Sequence, residues 1–298
     1  MVDDAELAEV FEEAASGRVA GILGDVRQVL RVTQAAFFFR ALAAHEAYLA
    51  AAWEALKPNA SVAYFERCAD SLRMRMTPPL PPDVPEHAEA LEELGYPAER
   101  VAEVAGILEA YNYANPKNLI LAAALKGALN GVRIGGVKPG HAGDLDPLPQ
   151  GPPRSMRKAA LVDPARAEGR VRALLEEIGR SSPGGAVGSV WRALAGHPEY
   201  LELAWAFVRE ESKKKGFEIT VSLSQGAAAA AAQEFPHPVA LDRARARALG
   251  LGEAEVDRID RTLDRFIHLI PRTNVSILLL KAALLGEGRV RRKPFEGE

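Results

Sequence analysis

Cysteine is almost absent from this sequence, and its scarcity excludes several kinds of site. The 298 residues contain a single cysteine, Cys68. An intramolecular disulfide, a CxxC redox pair and a cysteine-rich zinc site each need more than one thiol. A lone thiol usually packs as a small apolar side chain, so Cys68 is predicted to lie on a buried helix face.

The sequence also lacks an excess of charge of either sign. Its 37 Lys and Arg residues against 40 Asp and Glu residues give a formal net charge of −3. Nucleic-acid-binding proteins present a basic face, so no nucleic acid is expected as a partner. No run of 18 uncharged apolar residues occurs, and the acidic N-terminus has no apolar signal segment. These features predict no membrane association and a cytoplasmic location.

Motifs for cofactors and metals are missing as well. The glycine-rich stretch at residues 181–191 lacks the GxxxxGK[ST] pattern of a phosphate-binding loop. The sequence contains no HExxH motif and no acidic cluster of the kind that holds a metal. We therefore expect neither a cofactor nor a bound metal.

What the sequence does contain is an internal repeat. RALAAHEAYLAAAW at residues 40–53 returns as RALAGHPEYLELAW at residues 192–205, an offset of 152 residues. A second block of matches, which begins with Leu-Gly at residues 94–95, returns 155 residues later. Two blocks in the same order predict two homologous halves.

The repeat sets the predicted domain organisation. Residues 1–135 are the first helical repeat and residues 160–298 are the second. Residues 136–159 are rich in Gly and Pro without periodicity, which predicts a linker that crosses the surface. Two such halves bury their apolar faces against each other, so we expect a pseudo-dimer with a cleft between the repeats. A second copy of the chain is a candidate partner.

The periodicity within each half is helical, with apolar residues at spacings of three, four and seven. Residues 217–223 alternate apolar and polar side chains, a pattern typical of a strand. Their repeat partner, however, places Phe65, Cys68 and Leu72 at helical spacing. We therefore predict a helix in both places and an all-α fold class.

The stretch YNYANPKN at residues 111–118 is a candidate ligand site. Its repeat partner, FIHLIPRT at residues 266–273, has none of the amides. Polar groups present in one half alone suit an asymmetric cleft, and an amide both donates and accepts hydrogen bonds. The alternative is that Asn115 caps a helix that begins at Pro116, as an equivalent helix would begin at Pro271.

Two other positions leave alternatives open. His45 and His197 are repeat partners, which favours a structural role at a helix end over a two-histidine metal site. Ser189 precedes the second repeat block, where it either caps a helix or faces the cleft.

Together these blocks resemble the group I DL-2-haloacid dehalogenases over nearly the whole chain. The NYxNPK junction, the FxxRxLA block at residues 37–43, the YLxxAW blocks and the DPLP element of the linker carry the resemblance. It implies an all-helical pseudo-dimer that hydrolyses the carbon–halogen bond of short 2-halocarboxylic acids. It also implies an aspartate that activates water for direct attack at C2, without a metal or a covalent intermediate.

The resemblance also implies the site residues. Ser189 matches the serine that precedes the catalytic aspartate, and Val190 stands at the position of that aspartate. Gln34 stands where the family has a pocket tryptophan. The predicted substrate-binding residues are Gln34, Phe37, Tyr111, Asn115 and Ser189.

Val190 makes the expected activity different from that of the family. Valine cannot accept a proton, and no Asp or Glu lies within eight residues on either side of it. We therefore expect a small-acid cleft in which the family's dehalogenation is lost. Three alternatives stay open: a hydrolase with another base such as Glu199 or His268, a non-catalytic binder of small carboxylates, and a partner-binding protein whose cleft is filled by Val190, Phe38 and Trp191.

Overall fold

The computed structural model describes residues 9–298, and its regular secondary structure is helical. Within this range no β-strand occurs, so the predicted all-α fold class is confirmed. Residues 217–223 lie inside a helix, as predicted. The twelve α-helices are α1 Gly17–Leu30, α2 Phe37–Leu42, α3 Glu46–Ala60, α4 Ala63–Arg75, α5 His87–Glu93, α6 Ala98–Leu129, α7 Gly169–Arg180, α8 Ser189–Leu194, α9 Pro198–Glu211, α10 Lys215–Gln233, α11 Arg243–Ala248 and α12 Glu253–Leu285.

The helices follow the same order on both sides of the predicted linker. The helices α1 to α4 begin 152 residues before α7 to α10, and α6 begins 155 residues before α12. Equivalent aromatic pairs have equivalent geometry. The Phe39 and Trp53 rings are 5.7 Å apart at 90°, and the Trp191 and Trp205 rings are 5.6 Å apart at 85°. These edge-to-face pairs hold the short helices α2 and α8 against α3 and α9.

The centre of the molecule is the contact between α6 and α12, the two longest helices. Every residue from Leu119 to Leu125 in α6 is buried, and so is every residue from Thr273 to Leu284 in α12. The helix α12 is long and apolar enough to cross a membrane, but 78% of that window is buried inside the fold. Burial of this kind is typical of a core helix, where an all-round apolar surface is covered by neighbouring elements.

The prediction that helices begin at Pro116 and Pro271 is wrong, because both prolines lie inside long helices. A proline within a helix cannot donate to the carbonyl four residues earlier. In α6 that carbonyl, of Asn112, accepts a hydrogen bond from Arg73 Nε at 3.1 Å. In α12 the carbonyl of Ile267 accepts one from Gln225 Nε2 at 3.1 Å. A side chain of the adjacent helix therefore replaces each missing backbone donor.

The segment between the two sets of helices runs over both of them. The backbone N–H of Val137 donates to Phe235 O at 3.1 Å, that of Leu148 to Ser61 O at 2.8 Å, and that of Gly151 to Gln28 O at 2.8 Å. Gly135 opens this segment at φ +73°, and a Cβ there would lie 2.2 Å from the carbonyl oxygen of His237. Only glycine allows this close backbone approach.

Cys68 lies on α4 and is half-buried, so the expectation of a fully buried thiol is corrected. Burial nevertheless raises the pKa of its thiol. A thiol with a raised pKa is a weak nucleophile at neutral pH, which favours a packing role for this residue.

We expect Gln225→Met to lower the free energy of unfolding by about 1 kcal/mol, because it leaves the half-buried carbonyl of Ile267 without a donor. Pro271→Ala in the same chain should recover most of the loss, since alanine supplies a backbone N–H to that carbonyl. Urea unfolding of the two single variants and the double variant measures both effects. Additive losses in the double variant would contradict this account of the proline.

Candidate functional site

A cavity lies between helices from both sides of the linker. Its walls come from the first turns of α2 and α8, the middle of α6 and α12, the loop before α2, and residues 156–159. It offers about 80 Å³ to the centres of water-sized molecules. One water needs roughly 10–15 Å³ on this measure, so the cavity holds a ligand of several non-hydrogen atoms.

The structure brings the predicted site residues together. Gln34, Phe37, Tyr111, Asn115 and Ser189 all line the cavity, and so does Val190. The Phe37 ring packs edge-on against Phe266 of α12, with the ring centroids 5.1 Å apart. The cavity is open beside these side chains. Trp191, expected to fill it in one of the alternatives, packs against Trp205 instead.

Three polar residues of the cavity wall lie on one stripe of α6. Tyr111, Asn115 and Asn118 are spaced by four and three residues, which places them on one helix face. Each has a buried polar atom without a hydrogen-bond partner: the Tyr111 hydroxyl, Asn115 Nδ2 and Asn118 Oδ1. The prediction that Asn115 caps a helix is wrong because the residue lies in the middle of α6.

Below this stripe, two buried arginines share one carboxylate. Arg40 Nε donates to Glu9 Oε2 at 2.8 Å, and Arg192 Nη1 donates to Glu9 Oε1. Arg40 and Arg192 are equivalent positions of the sequence repeat, and both are almost fully buried. The three groups together leave one positive charge in excess beside the cavity.

Arg40 also fixes the role of Ser189. Its Nη2 donates to Ser189 Oγ at 3.0 Å. Because the serine oxygen accepts this bond, its own proton is left for a second acceptor, and the neighbouring Tyr111 hydroxyl oxygen is one such acceptor. Ser189 is the first residue of α8, after the N-cap Gly188, and makes no capping bond. Ser189 was expected either to cap a helix or to face the cleft, and in the structure it faces the cavity.

Tyr111 is a second neutral donor at the same end of the cavity. Burial raises the pKa of its hydroxyl to about 12, although the charges of Arg40 and Arg192 oppose the rise. The group is therefore protonated at neutral pH and can donate a hydrogen bond to an anion.

A general base is missing from the described lining of the cavity, which contains no Asp, Glu or His side chain. The two bases suggested from the sequence do not reach it. Glu199 is partly exposed at the start of α9 beside Arg170, and Nδ1 of the exposed His268 donates to Asp264 O. Neither residue lines the cavity.

The two repeat histidines are the N-cap residues of α3 and α9, and each contacts a different partner. His45 Nδ1 lies 2.8 Å from Glu255 Oε1, and His197 Nδ1 lies 3.2 Å from the Tyr96 hydroxyl. Within residues 9–298 no group of three or more His, Cys, Asp or Glu side chains is placed to hold a metal. The structural role predicted for this pair fits these contacts.

Sequence reasoning missed Glu9, Arg40, Arg192 and Asn118. The two arginines were visible as repeated positions, but an arginine in a helix is normally solvated, so burial could not be read from its spacing. Glu9 lies in an acidic segment without a motif, and only the fold brings it to both arginines. Asn118 was part of the quoted stretch and carried no separate signal.

Comparison with known proteins gives one consistent family. The family model described as "Halocarboxylic acid dehydrogenase DehI" matches residues 33–182. A configuration-inverting 2-haloacid dehalogenase of Pseudomonas sp. (strain 113) is 34% identical over 221 residues, which are 72% of this chain and 70% of the relative. A second one, from Alcaligenes xylosoxydans xylosoxydans, is 30% identical over 68% of each chain.

Solved structures give the same fold. The crystal structure of a D-2-halacid dehalogenase mutant superposes with a TM-score of 0.86, covering 93% of this chain and 95% of that chain at 23% identity. A D-2-haloacid dehalogenase in complex with L-LA superposes equally well, also at 23% identity. At this identity the superposition establishes the fold alone.

We expect Glu9→Ala to lower the free energy of unfolding by about 3–5 kcal/mol, because it leaves two buried guanidinium groups without their counter-charge. Glu13→Ala is the matched control, since Glu13 pairs with Lys158 on the surface and its loss should change stability by less than about 1 kcal/mol. Denaturant unfolding of both variants measures the difference. If both variants lose the same free energy of unfolding, the Glu9 bridge contributes no more to stability than a surface ion pair.

Proposed function

Because the chain belongs to the DehI family of 2-haloacid dehalogenases, we propose that it binds a small 2-substituted carboxylic acid in the cavity without hydrolysing a carbon–halogen bond. The single observation that carries the proposal is the lining of the cavity. The described wall contains Val190, which the sequence resemblance puts at the position of the family's aspartate, and no Asp, Glu or His side chain.

Without a base in the cavity, hydrolysis of a carbon–halogen bond is expected to be slow. Water attacks a carbon–halogen bond slowly unless a positioned base takes its proton, and such a base contributes roughly 100–10,000-fold to a rate. The relatives from Pseudomonas sp. and Alcaligenes are named configuration-inverting, an outcome that direct attack by water produces. Val190 is buried and apolar, so it can neither remove that proton nor orient the water.

The rest of the cavity suits a small carboxylate. The hydroxyl groups of Tyr111 and Ser189 lie together at one end and leave one proton for a ligand when they bond to each other, and the excess positive charge of the Glu9 bridge lies beside them. Neutral donors in front of a buried cation attract an anion without a direct ion pair. The wall also contains the rings of Phe37 and Phe266, which offer an apolar surface to the substituent.

We also propose that the cavity lies between two homologous repeats, residues 1–135 and 160–298, joined by the linker 136–159. The common helix order, the equivalent aromatic pairs and the two prolines with replaced donors support it. In this arrangement α2 and α6 come from one repeat and α8 and α12 from the other. Divergence of the halves explains why the amides stand on α6 alone.

A hydrolase that acts on another substrate is the second candidate from the sequence. It needs a base in the cavity, and Glu199 and His268 both lie elsewhere. The small-carboxylate binder is therefore the proposal that the geometry supports best.

The test is halide release from D- and L-2-chloropropionate and from 2-bromoacetate. We expect none from the natural chain and measurable release from Val190→Asp, because the new carboxylate would stand beside Ser189 in the cavity wall. Val190→Asn is the matched control. Asparagine has nearly the same shape as aspartate but no basic group, so this variant should release no halide.

Thermal unfolding of all three proteins checks that each is folded during the assay. Release by the natural chain would overturn the proposal that Val190 removes the activity. If folded Val190→Asp releases no halide, the assignment of position 190 as the place of the base is contradicted.

A further inference from the structure

We propose that residues 154–159 form a lid over the cavity, and that this lid opens to admit and release the ligand. The lid concerns the route into the cavity rather than the groups that hold a ligand there. Its closure over a small acid rests on the binding proposed above, whereas its ability to open does not.

The cavity reaches the surface beside the lid. Met156, Arg157 and Ala159 line the cavity, and among the described lining residues Arg157 alone is exposed. Across from Arg157, the half-buried Thr33 and Gln34 line the cavity from the loop before α2. Thr33 Oγ1 donates to Arg157 O at 3.3 Å, so one hydrogen bond joins the two segments over the mouth of the cavity. A ligand that enters there must separate the lid from this loop.

The loop on the far side of the mouth is held by a buried carboxylate. The backbone N–H of Ala35 donates to Glu12 Oε1 at 2.6 Å. Glu12 Oε2 accepts from Arg27 Nη1 at 2.8 Å, and the Glu12 side chain is only 8% exposed. Hydrogen bonds to ionised groups are the strong ones in proteins, so this loop keeps its place when the mouth opens.

The lid itself is held by exposed contacts and contains no helix or strand. Glu298 Oε1 accepts from Ser155 Oγ at 2.6 Å, and Glu298 Oε2 accepts from the Ser155 backbone N–H at 3.0 Å. Lys158 Nζ lies 2.9 Å from Glu13 Oε1. All four of these residues are exposed. Exposed charged contacts add little stability, so the lid can open locally while the core stays folded.

Backbone anchors on both sides confine this opening to the lid. Before the lid, the N–H of Gly151 donates to Gln28 O at 2.8 Å. After the lid, the N–H of Val162 donates to Arg192 O at 3.1 Å, and Arg192 Nε donates back to Val162 O at 3.2 Å. Arg192 is buried and bound to Glu9, so the second anchor is part of the core.

Limited proteolysis with trypsin tests the opening, because the protease cuts after Arg157 only when the chain around it is locally unfolded. The cleavage rate then follows the population of the open lid. We expect Glu298→Ala and Glu13→Ala each to raise this rate by about 3- to 10-fold, since each removes an exposed contact of the lid. The thermal unfolding midpoint should stay nearly the same, which shows that the opening is local.

Glu296→Ala is the matched control for Glu298→Ala. It removes the same charge from an exposed position two residues away, and Glu296 makes none of the contacts to the lid. Its cleavage rate after Arg157 should equal that of the natural chain. An unchanged rate in both Glu298→Ala and Glu13→Ala would overturn the lid.

A ligand tests closure over the cavity. At about ten times its Kd, measured by calorimetry, 2-chloropropionate should slow cleavage after Arg157 by about 10-fold, because it binds the closed form. If the acid binds without slowing cleavage, the lid does not close over it and the proposal is overturned. If no small acid binds, the proposed function is overturned, and the cleavage rates of the variants still decide whether the segment opens.

Exchange of 2-fluoropropionate, followed by ¹⁹F NMR, tests passage through the lid. If opening limits both entry and exit, Glu298→Ala should raise the association and dissociation rate constants together by about 3- to 10-fold and leave their ratio nearly unchanged. Glu296→Ala should change neither rate constant. If Glu298→Ala is cleaved faster but exchanges the ligand at the natural rate, the ligand does not pass through the lid.

Discussion

The arrangement of the cavity depends on one buried carboxylate placed between two buried guanidinium groups. Glu9 holds Arg40 of α2 and Arg192 of α8, so a single acid fixes both short helices whose first turns form the cavity wall. Burial of an arginine is unfavourable unless its charge is compensated. Because one carboxylate serves two cations, the bridge keeps one positive charge in excess, and Arg40 also donates to the Ser189 hydroxyl in the cavity wall.

The second constraint is the continuity of α6 and α12. Each helix carries a proline in its middle and is kept regular by a side chain of the neighbouring helix, Arg73 or Gln225, that satisfies the free carbonyl. A break at Pro116 would separate Tyr111 from Asn118 and scatter the polar stripe. Helix α4 therefore helps to keep the polar stripe of the cavity wall in register without touching the cavity, through one hydrogen bond to the backbone of α6.

The residues that the fold requires are different from the residue that dehalogenation would require. The packing that creates the cavity needs apolar faces, buried arginines and unbroken long helices, and a valine at position 190 satisfies all of these. The base that the family resemblance places at position 190 has no part in this packing. The fold is therefore compatible with valine there, and α6 keeps a polar stripe on the cavity wall.

The sequence by itself determined the all-α class, because periodicity and repeated blocks are local properties of the chain, and the resemblance to a family supplied the residues that meet in the cavity. The sequence failed at Pro116, where the local rule predicts a helix start and a distant Arg73 overrides it. Only the tertiary structure brought Glu9 to Arg40 and Arg192 and left Asn115 and Asn118 unsatisfied. Burial and hydrogen-bond satisfaction arise from contacts between residues far apart in sequence, so no local pattern contains them.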